Sequence, residues 1–243
     1  MKRALRLPAL IAAGLLFAGA FASNAWSQDY PNRSITVIVP FPAGGPSDVV
    51  ARIVTDQMGR TLGQTMVIEN VGGAGGVIGS GRVATAQADG YTLLAGSMGS
   101  HVAAPVLTQG LRYNPLDFTP IGPTAHSPPI IVARKDFPAK DLREFVADLK
   151  EQGNGFKEAH GGIGSSSHMA CLLFTSATGV KPTLVAYRGS NLAMNDMIGG
   201  HVDFICEQSV SVIEQIKSGT VKAYAVAAAE RLDVDVALVH LGG

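Results

Sequence analysis

The chain has 243 residues, of which 47% are hydrophobic and 16% charged, and its 19 basic residues balance its 19 acidic residues. That length suits one large or two small domains with a buried core. The low charge and 29 glycines without a period exclude a coiled coil and a collagen. The zero net charge argues against a nucleic-acid-binding protein, which needs a basic face.

The N-terminal 27 residues have the pattern of a secretory signal peptide. Three basic residues precede an uncharged apolar run at residues 7–22, and small residues suited to signal-peptidase cleavage follow around Ala25 and Ser27. A membrane anchor is the alternative, but the apolar run is shorter than the roughly 20 residues that a bilayer needs. We therefore expect cleavage near Ala25–Ser27, export to an oxidising compartment, and a mature chain with a net charge of about −3.

Strand and helix patterns alternate in the first half of the mature chain. Strands are predicted at residues 34–39, 66–69 and 91–95. Ser47 is predicted as the N-cap of the helix that follows the first strand, with Asp48 in the first turn. A glycine-rich loop at residues 72–81 opens the next helix. Such alternation is typical of a parallel α/β sheet, whose ligands bind at the carboxyl ends of the strands.

A proline-rich stretch at residues 113–129 separates this part from a second α/β series. The second series is predicted to contain strands at 130–133, 183–187, 202–206 and 221–227, and helices at 141–152, up to about 177, at 192–198 and at 211–218. We interpret the proline-rich stretch as a hinge. The repeated pattern then predicts two lobes with a cleft between them.

Three polar or glycine-rich turns, at residues 44–48, 72–79 and 164–168, are each expected to follow a strand and open a helix. A helix N-terminus leaves unpaired N–H groups and a partial positive charge, and glycine lets a ligand approach the backbone closely. Several such ends facing one cleft would hold an anion, most simply a carboxylate. The alternative is that the glycines only make tight turns. Tyr187 either offers its hydroxyl to a ligand or is a partly buried strand-end aromatic.

Phosphate-binding and catalytic motifs are absent from the sequence. No glycine-rich loop contains the lysine of a P-loop, and no G-x-G-x-x-G fingerprint occurs. Ser165, Ser166 and His168 suggest a secreted serine hydrolase, but the G-x-S-x-G nucleophile elbow is missing and serines at helix starts are usually caps. The acidic residues are too scattered to indicate a metal site. We expect no enzymatic activity, no cofactor and no metal.

Cys171 and Cys206 are the two cysteines of the chain. In an exported protein two cysteines are more often paired than free, and a disulfide here closes a loop of about 35 residues. Two buried thiols are the alternative.

The order and spacing of these motifs resemble a known family. The segments are QDYPNRSITVIVPFPAGGPSD, VIENVGGAGGVIGSGRVATAQADGYTLL, GIGSSSH and VAYRG…NDMIGGHVDF, within residues 30–231. Together they resemble the substrate-binding proteins of tripartite tricarboxylate transporters, the Bug or TctC family. The resemblance implies a periplasmic binding protein of type II fold, with two α/β lobes, a hinge and an interlobe cleft. Its expected ligand is a small carboxylate, such as a di- or tricarboxylate, an amino acid or an aromatic acid.

The resemblance also implies ligand contacts and partners. Its first-lobe contacts fall on Ala43, Gly44, Ser47, Asp48, Gly75, Gly76 and Ser97, and its second-lobe contacts on Ser165, Ser166, His168, Tyr187 and Glu207. The first-lobe contacts are expected to be largely backbone groups and bridging waters. The expected partners are the membrane subunits of a tripartite tricarboxylate transporter, and the protein is expected to be a monomer.

The domain boundaries follow from the resemblance, with one departure. We expect a signal peptide at 1–27, a first lobe at 28–125, a second lobe at 126–226, and a hinge return with an aberrant tail at 227–243. Family members continue well beyond the ERL segment, whereas this chain reads ERLDVDVALVHLGG. We therefore expect a truncated first lobe with uncovered apolar surface, and a non-functional remnant is the alternative to a working receptor.

Overall fold

The computed structural model describes residues 29–229, 232 and 239–240. From Arg33 onward these residues form one compact unit. The predicted signal peptide, with its cleavage site, and most of the predicted tail lie outside the described residues. In the part of the chain that the structure covers, no helix has the length and apolar character needed to cross a bilayer.

The first sheet consists of three parallel strands in the order β2-β1-β3. The strands are β1 at Ile35–Val39, β2 at Met66–Asn70 and β3 at Thr92–Leu94. The central strand β1 is almost fully buried, in agreement with its β-branched sequence. We call this sheet, with its connections and the segment up to residue 107, the first lobe.

Helix α1 at Pro46–Leu62 joins β1 to β2, and α2 at Val77–Ala84 joins β2 to β3. The N-cap of α1 is Gly45 rather than the predicted Ser47, which lies inside the first turn. The helix begins earlier because Pro46 occupies the first helical position, where its fixed φ suits a helix and its missing N–H costs nothing.

The second sheet has six described strands in the order β6-β5-β7-β4-β8-β9. These are β4 at Pro129–Arg134, β5 at Lys157–His160, β6 at Thr183–Ala186, β7 at Phe204–Gln208, β8 at Val221–Val226 and β9 at Val239–His240. Strand β4 is antiparallel to β7 and β8, whereas the other pairs are parallel.

The remaining helices are α3 at Ala104–Leu107, α4 at Leu142–Gln152, α5 at Ser166–Thr178, α6 at Ser190–Ile198 and α7 at Ser209–Lys217. A π-helical turn at Gly99–Ala103 leads into α3. We call the six-stranded sheet, together with α4 to α7, the second lobe. The predicted helices and strands of this lobe agree with the structure to within about two residues at most ends. Strand β5 was not predicted from the sequence.

Two hydrophobic clusters cover the opposite faces of the second sheet. Neighbouring residues of a strand point to opposite faces, so Phe204 and Cys206 of β7 join one cluster and Ile205 joins the other. The first cluster is aromatic, with the rings of Phe145 and Tyr224 stacked at 4.4 Å. A disulfide joins Cys171 of α5 to Cys206 within this cluster.

Candidate functional site

The loop after β1 presents backbone rather than charged side chains. Ala43 and Gly44 are exposed and Ser47 is half-buried. The N-cap residue Gly45 has no side chain to bond the first turn of α1. The N-terminus of α1 therefore keeps its partial positive charge available to an anion.

The buried Asp48 fixes the conformation of this loop through hydrogen bonds. One carboxylate oxygen accepts hydrogen bonds from the Gly44 N–H and from Arg52 Nε, both at 2.9 Å, and the other accepts from Asn70 Nδ2 at 2.9 Å. Burial opposes ionisation of Asp48, but these hydrogen bonds and the Arg52 charge outweigh it and lower the pKa of the carboxyl. Both oxygens are thus occupied within the protein, and the carboxylate fixes the position of the Gly44 backbone.

The other predicted first-lobe contacts follow β2 and β3. Gly75 and Gly76 have φ angles of 64° and 102°, which side chains rarely adopt, so the loop after β2 depends on glycine here. Ser97 follows β3, and its N–H donates to Ser100 Oγ at 2.9 Å. Because the three strands are parallel, their carboxyl ends bring Gly44, Gly75 and Ser97 to the same edge of the first sheet.

The loop after β5 carries three of the predicted second-lobe residues. Ser165 is the N-cap of α5, and its hydroxyl accepts from the His168 N–H at 3.2 Å. Ser166 is half-buried at the first position of the helix. His168 Nδ1 accepts from the Gly164 N–H at 3.2 Å. No hydrogen bond joins Ser166 to His168, both of which the structure describes, so the geometry does not favour a serine nucleophile with a histidine base.

Two histidines hold this loop together. His160, at the end of β5, lies with its ring 4.5 Å from the ring of His168, and its Nδ1 accepts from the Gly162 N–H at 3.2 Å. Burial lowers the pKa of both imidazoles, and the neighbouring His168 lowers that of His160 further. Neutral rings are what these bonds require, since a protonated Nδ1 cannot accept. His160 was not predicted from the sequence, because β5 itself carries no apolar alternation.

Tyr187 and Glu207 lie at the ends of β6 and β7. The Tyr187 hydroxyl donates to Asp196 Oδ2 at 2.6 Å, and burial, followed by this carboxylate, raises the pKa of Tyr187 to about 12. Glu207 is buried, and its Oε1 accepts from the Gln208 N–H at 2.8 Å. Its Oε2 has no hydrogen-bond partner in the described part of the chain. Burial raises the pKa of Glu207 to about 7, against the opposing effects of Ser190 and of the Gln208 N–H.

The loops of the first lobe and the helix starts of the second lobe are in contact at the boundary between the lobes. A Cβ atom added to Gly189, the N-cap of α6, would lie 2.9 Å from Pro42 Cγ in the loop after β1. A Cβ atom added to Gly99 would lie 3.1 Å from the Ser166 N atom, at the start of α5. The starts of α5 and α6 in the second lobe therefore face the loops that open the helices of the first lobe. Such an arrangement of helix N-termini and hydroxyl groups can hold a small anion without a lysine or arginine.

A profile described as "Tripartite tricarboxylate transporter family receptor" matches residues 50–237 of the chain. A curated Agrobacterium vitis protein, from the TAR-I ttuE–ttuC' intergenic region, is 43% identical over 223 residues. The matched region covers 90% of this chain and 64% of that protein. The chain thus spans less than two thirds of the length of this relative.

Two solved structures have the same architecture. MatC from Rhodopseudomonas palustris, solved with bound malate, is 44% identical, has a TM-score of 0.78, and is matched over 83% of this chain and 69% of its own. The periplasmic binding protein BugD is 41% identical with a TM-score of 0.78, and the match covers 84% of this chain and 70% of BugD. These similarities confirm the predicted α/β fold with two lobes.

Proposed function

Because this chain belongs to the tripartite tricarboxylate transporter receptor family, we propose that it captures a small carboxylate in the periplasm and delivers it to the membrane subunits of such a transporter. It acts as a monomeric binding protein and not as an enzyme. The malate bound to MatC and the periplasmic assignment of BugD support the ligand class and the compartment. The A. vitis relative is longer than this chain, so the proposal concerns the capture step that these residues can perform.

One observation carries the proposal: helix starts from both lobes meet at the lobe boundary. The α1 terminus is not capped by a side chain, and the start of α6 follows Gly189, which has none. Each helix N-terminus carries about half a positive charge, so two or three of them aimed at one point favour a carboxylate. The loop after β1 and the loop at residues 161–165 contain no lysine or arginine, whereas the loop before α6 contains one basic residue, Arg188, next to Gly189.

We assign the two lobes different parts in binding. The first lobe offers the N-terminus of α1, near Ser47, and the backbone around Gly75 to one carboxylate of the ligand, while Asp48 holds the Gly44 N–H in place. The second lobe offers the side chains of Ser166 and His168, with Glu207 behind them, to the rest of the molecule. The remaining predicted contacts, at Ala43, Asp48, Gly76, Ser97, Ser165 and Tyr187, shape or line the same two surfaces.

Thermal unfolding with a panel of acids tests the proposal. The panel contains malate, succinate, citrate, aspartate and benzoate, and dimethyl malate serves as the uncharged control. An acid present at 100 times its dissociation constant stabilises the fold by about 2.7 kcal/mol. We expect at least one acid to raise the midpoint while the ester leaves it unchanged. A panel in which no acid stabilises the protein, or in which the ester stabilises it equally, contradicts the proposal.

A further inference from the structure

The lobes touch through a glycine on each side of their boundary. Gly99 begins the π-helical turn that follows β3, and Gly164 directly precedes Ser165 at the start of α5. A Cβ atom added to Gly99 would lie 2.7 Å from the Gly164 carbonyl oxygen and 3.3 Å from the Ser165 carbonyl carbon. Carbon and oxygen atoms that are not bonded do not approach to 2.7 Å, so the contact exists only because Gly99 has no side chain.

Gly164 of the second lobe is in turn packed closely against the first lobe. A Cβ atom added there would lie 3.3 Å from the Cα atom of Ala104, at the start of α3. A Cβ atom on Gly75, in the loop after β2, would overlap the carbonyl oxygen of Ile163. The loop at residues 162–165 therefore lies against two separate segments of the first lobe.

This loop cannot easily move away from an added side chain. The Gly164 N–H donates to His168 Nδ1, and the Gly162 N–H donates to His160 Nδ1, both at 3.2 Å. The Ser165 N–H donates to the Gly162 carbonyl oxygen at 3.0 Å. The atoms opposite Gly99 are thus main-chain atoms of a bonded turn, and not the flexible end of a side chain.

Gly99 differs from the other glycines at the boundary in its backbone conformation, so a substitution there tests the contact between the lobes alone. Its φ angle lies outside the left-handed region, whereas Gly75 and Gly164 have φ angles of 64° and 81°. An alanine at position 99 is therefore compatible with the backbone of its own turn. The three atoms nearest to the added methyl group all belong to the second lobe, at residues 164–166.

We propose that Gly99 is a positioning residue for ligand capture, because its missing side chain lets the first lobe seat against the start of α5. A methyl group at position 99 holds the lobes apart and leaves each lobe folded. This inference rests on the proposed function, since an anion gripped by helix starts from both lobes needs them in contact. Gly99 itself touches no ligand; it sets the distance between the groups that do.

The test compares Gly99→Ala with Gly122→Ala. Gly122 also lies outside the left-handed region, and a Cβ atom added there meets nothing within 4 Å. Spin labels on cysteines introduced at the exposed positions Ile53 of α1 and Leu173 of α5 report the separation of the lobes, without any ligand. We expect Gly99→Ala to lengthen this separation and to leave the thermal midpoint near that of the parent chain, while Gly122→Ala changes neither.

Titration calorimetry with malate then measures the consequence for binding. We expect Gly99→Ala to weaken the affinity at least tenfold and Gly122→Ala to keep it. An unchanged label separation in Gly99→Ala overturns the inference. If the parent chain binds no acid at all, the proposed function fails, but the label separation still tests the seating of the lobes.

A second variant keeps the inference testable if Gly99→Ala does not fold. Ala104 is buried at the same boundary, and its Cβ atom lies 3.4 Å from a Cβ atom added to Gly164. Ala104→Val adds bulk there from a helical backbone, and it is expected to lengthen the same label separation. A folded Ala104→Val protein with the parent separation contradicts the inference.

Discussion

The two lobes differ in what they bury. In the first lobe, the buried apolar side chains of the described residues lie on β1 and on three alanines, at positions 51, 103 and 104. In the second lobe, one aromatic and one aliphatic cluster cover both faces of the sheet, and a disulfide joins α5 to β7. This difference suggests that the second lobe carries most of the stability that the described residues provide, whereas the first lobe mainly presents its loops.

The two lobes also differ in the polar groups that lie at their sheet edges. The first lobe uses a charged side chain, Asp48, to fix the backbone of the loop after β1. The second lobe brings imidazole, hydroxyl and buried carboxyl groups to its own sheet edge, at His160, Ser165 and Glu207. A backbone grip recognises any carboxylate, and side chains distinguish one ligand from another. The ligand preference is therefore expected to depend on the second lobe.

The largest expected effect is on the aromatic cluster. Phe145 is fully buried between the rings of Tyr224 and Phe204. Phe145→Ala is expected to lower the free energy of unfolding by about 4 kcal/mol, because it leaves a cavity in a packed core. Leu116→Ala is the control, since Leu116 lies in the connection between the two lobes and is 88% exposed. Urea unfolding that finds equal losses for the two variants contradicts the stabilising role assigned to the aromatic cluster of the second lobe.

The disulfide gives the next effect. Replacing both Cys171 and Cys206 by serine is expected to cost about 3 kcal/mol, because the unfolded chain regains the freedom of a closed loop of 35 residues. Reductant serves as the matched control: it is expected to destabilise the parent protein by a similar amount and to leave the double variant unchanged. A parent protein indifferent to reductant rules out the bridge as a source of stability.

Glu207 is expected to make the stability of the second lobe depend on pH. Its folded-state pKa of about 7 lies above the ordinary value of 4.5, so its contribution is fully present below pH 4.5 and is lost as the pH rises through 7. Glu207→Gln removes the cost of a buried charge and is expected to stabilise the fold at pH 8 by up to about 3 kcal/mol, with little effect at pH 4. The control is Glu151→Gln, on the exposed end of α4. It is expected to leave the stability unchanged at both pH 8 and pH 4. A Glu207→Gln protein with the parent pH profile contradicts the assignment.

Asp48 gives the smallest effect on stability and tests the first lobe. Asp48→Asn is expected to cost about 2 kcal/mol, because a neutral amide cannot accept all three hydrogen bonds. The depressed pKa of Asp48 predicts a contribution that is present above its ordinary value of 3.8 and is lost as the pH falls further. Asp56→Asn, which breaks only an exposed pair with Arg60, is expected to cost less than about 0.5 kcal/mol. Equal costs for both variants argue against a special role for Asp48.

Local sequence patterns were enough for much of the fold. The β-branched run of β1 predicted its strand, and the pattern of residues 141–152 predicted α4, which the structure shows to be capped by Asp141. The family motifs added the two-lobed architecture. Strand β5 escaped prediction because its sequence, Lys157–His160, is polar, and its burial is decided by the neighbouring strands β6 and β7.

The candidate site was predictable only in part, for a similar reason. Ser165 and Ser166 were placed at the start of a helix from their pattern alone, and they lie there. The contact between Gly99 and Gly164 joins residues 65 positions apart in the sequence, so no local pattern indicates it. The hydrogen bonds of Asp48 with Arg52 and of Tyr187 with Asp196 likewise depend on tertiary packing.

Amide hydrogen exchange, with and without a saturating acid from the panel, tests the central claim that both lobes grip one carboxylate ligand. The claim predicts added protection in three segments, at residues 42–48, 73–77 and 161–168, and none in α4, which lies away from the boundary. Protection in only one lobe, or in none of these segments, contradicts a ligand held between the helix starts of both lobes.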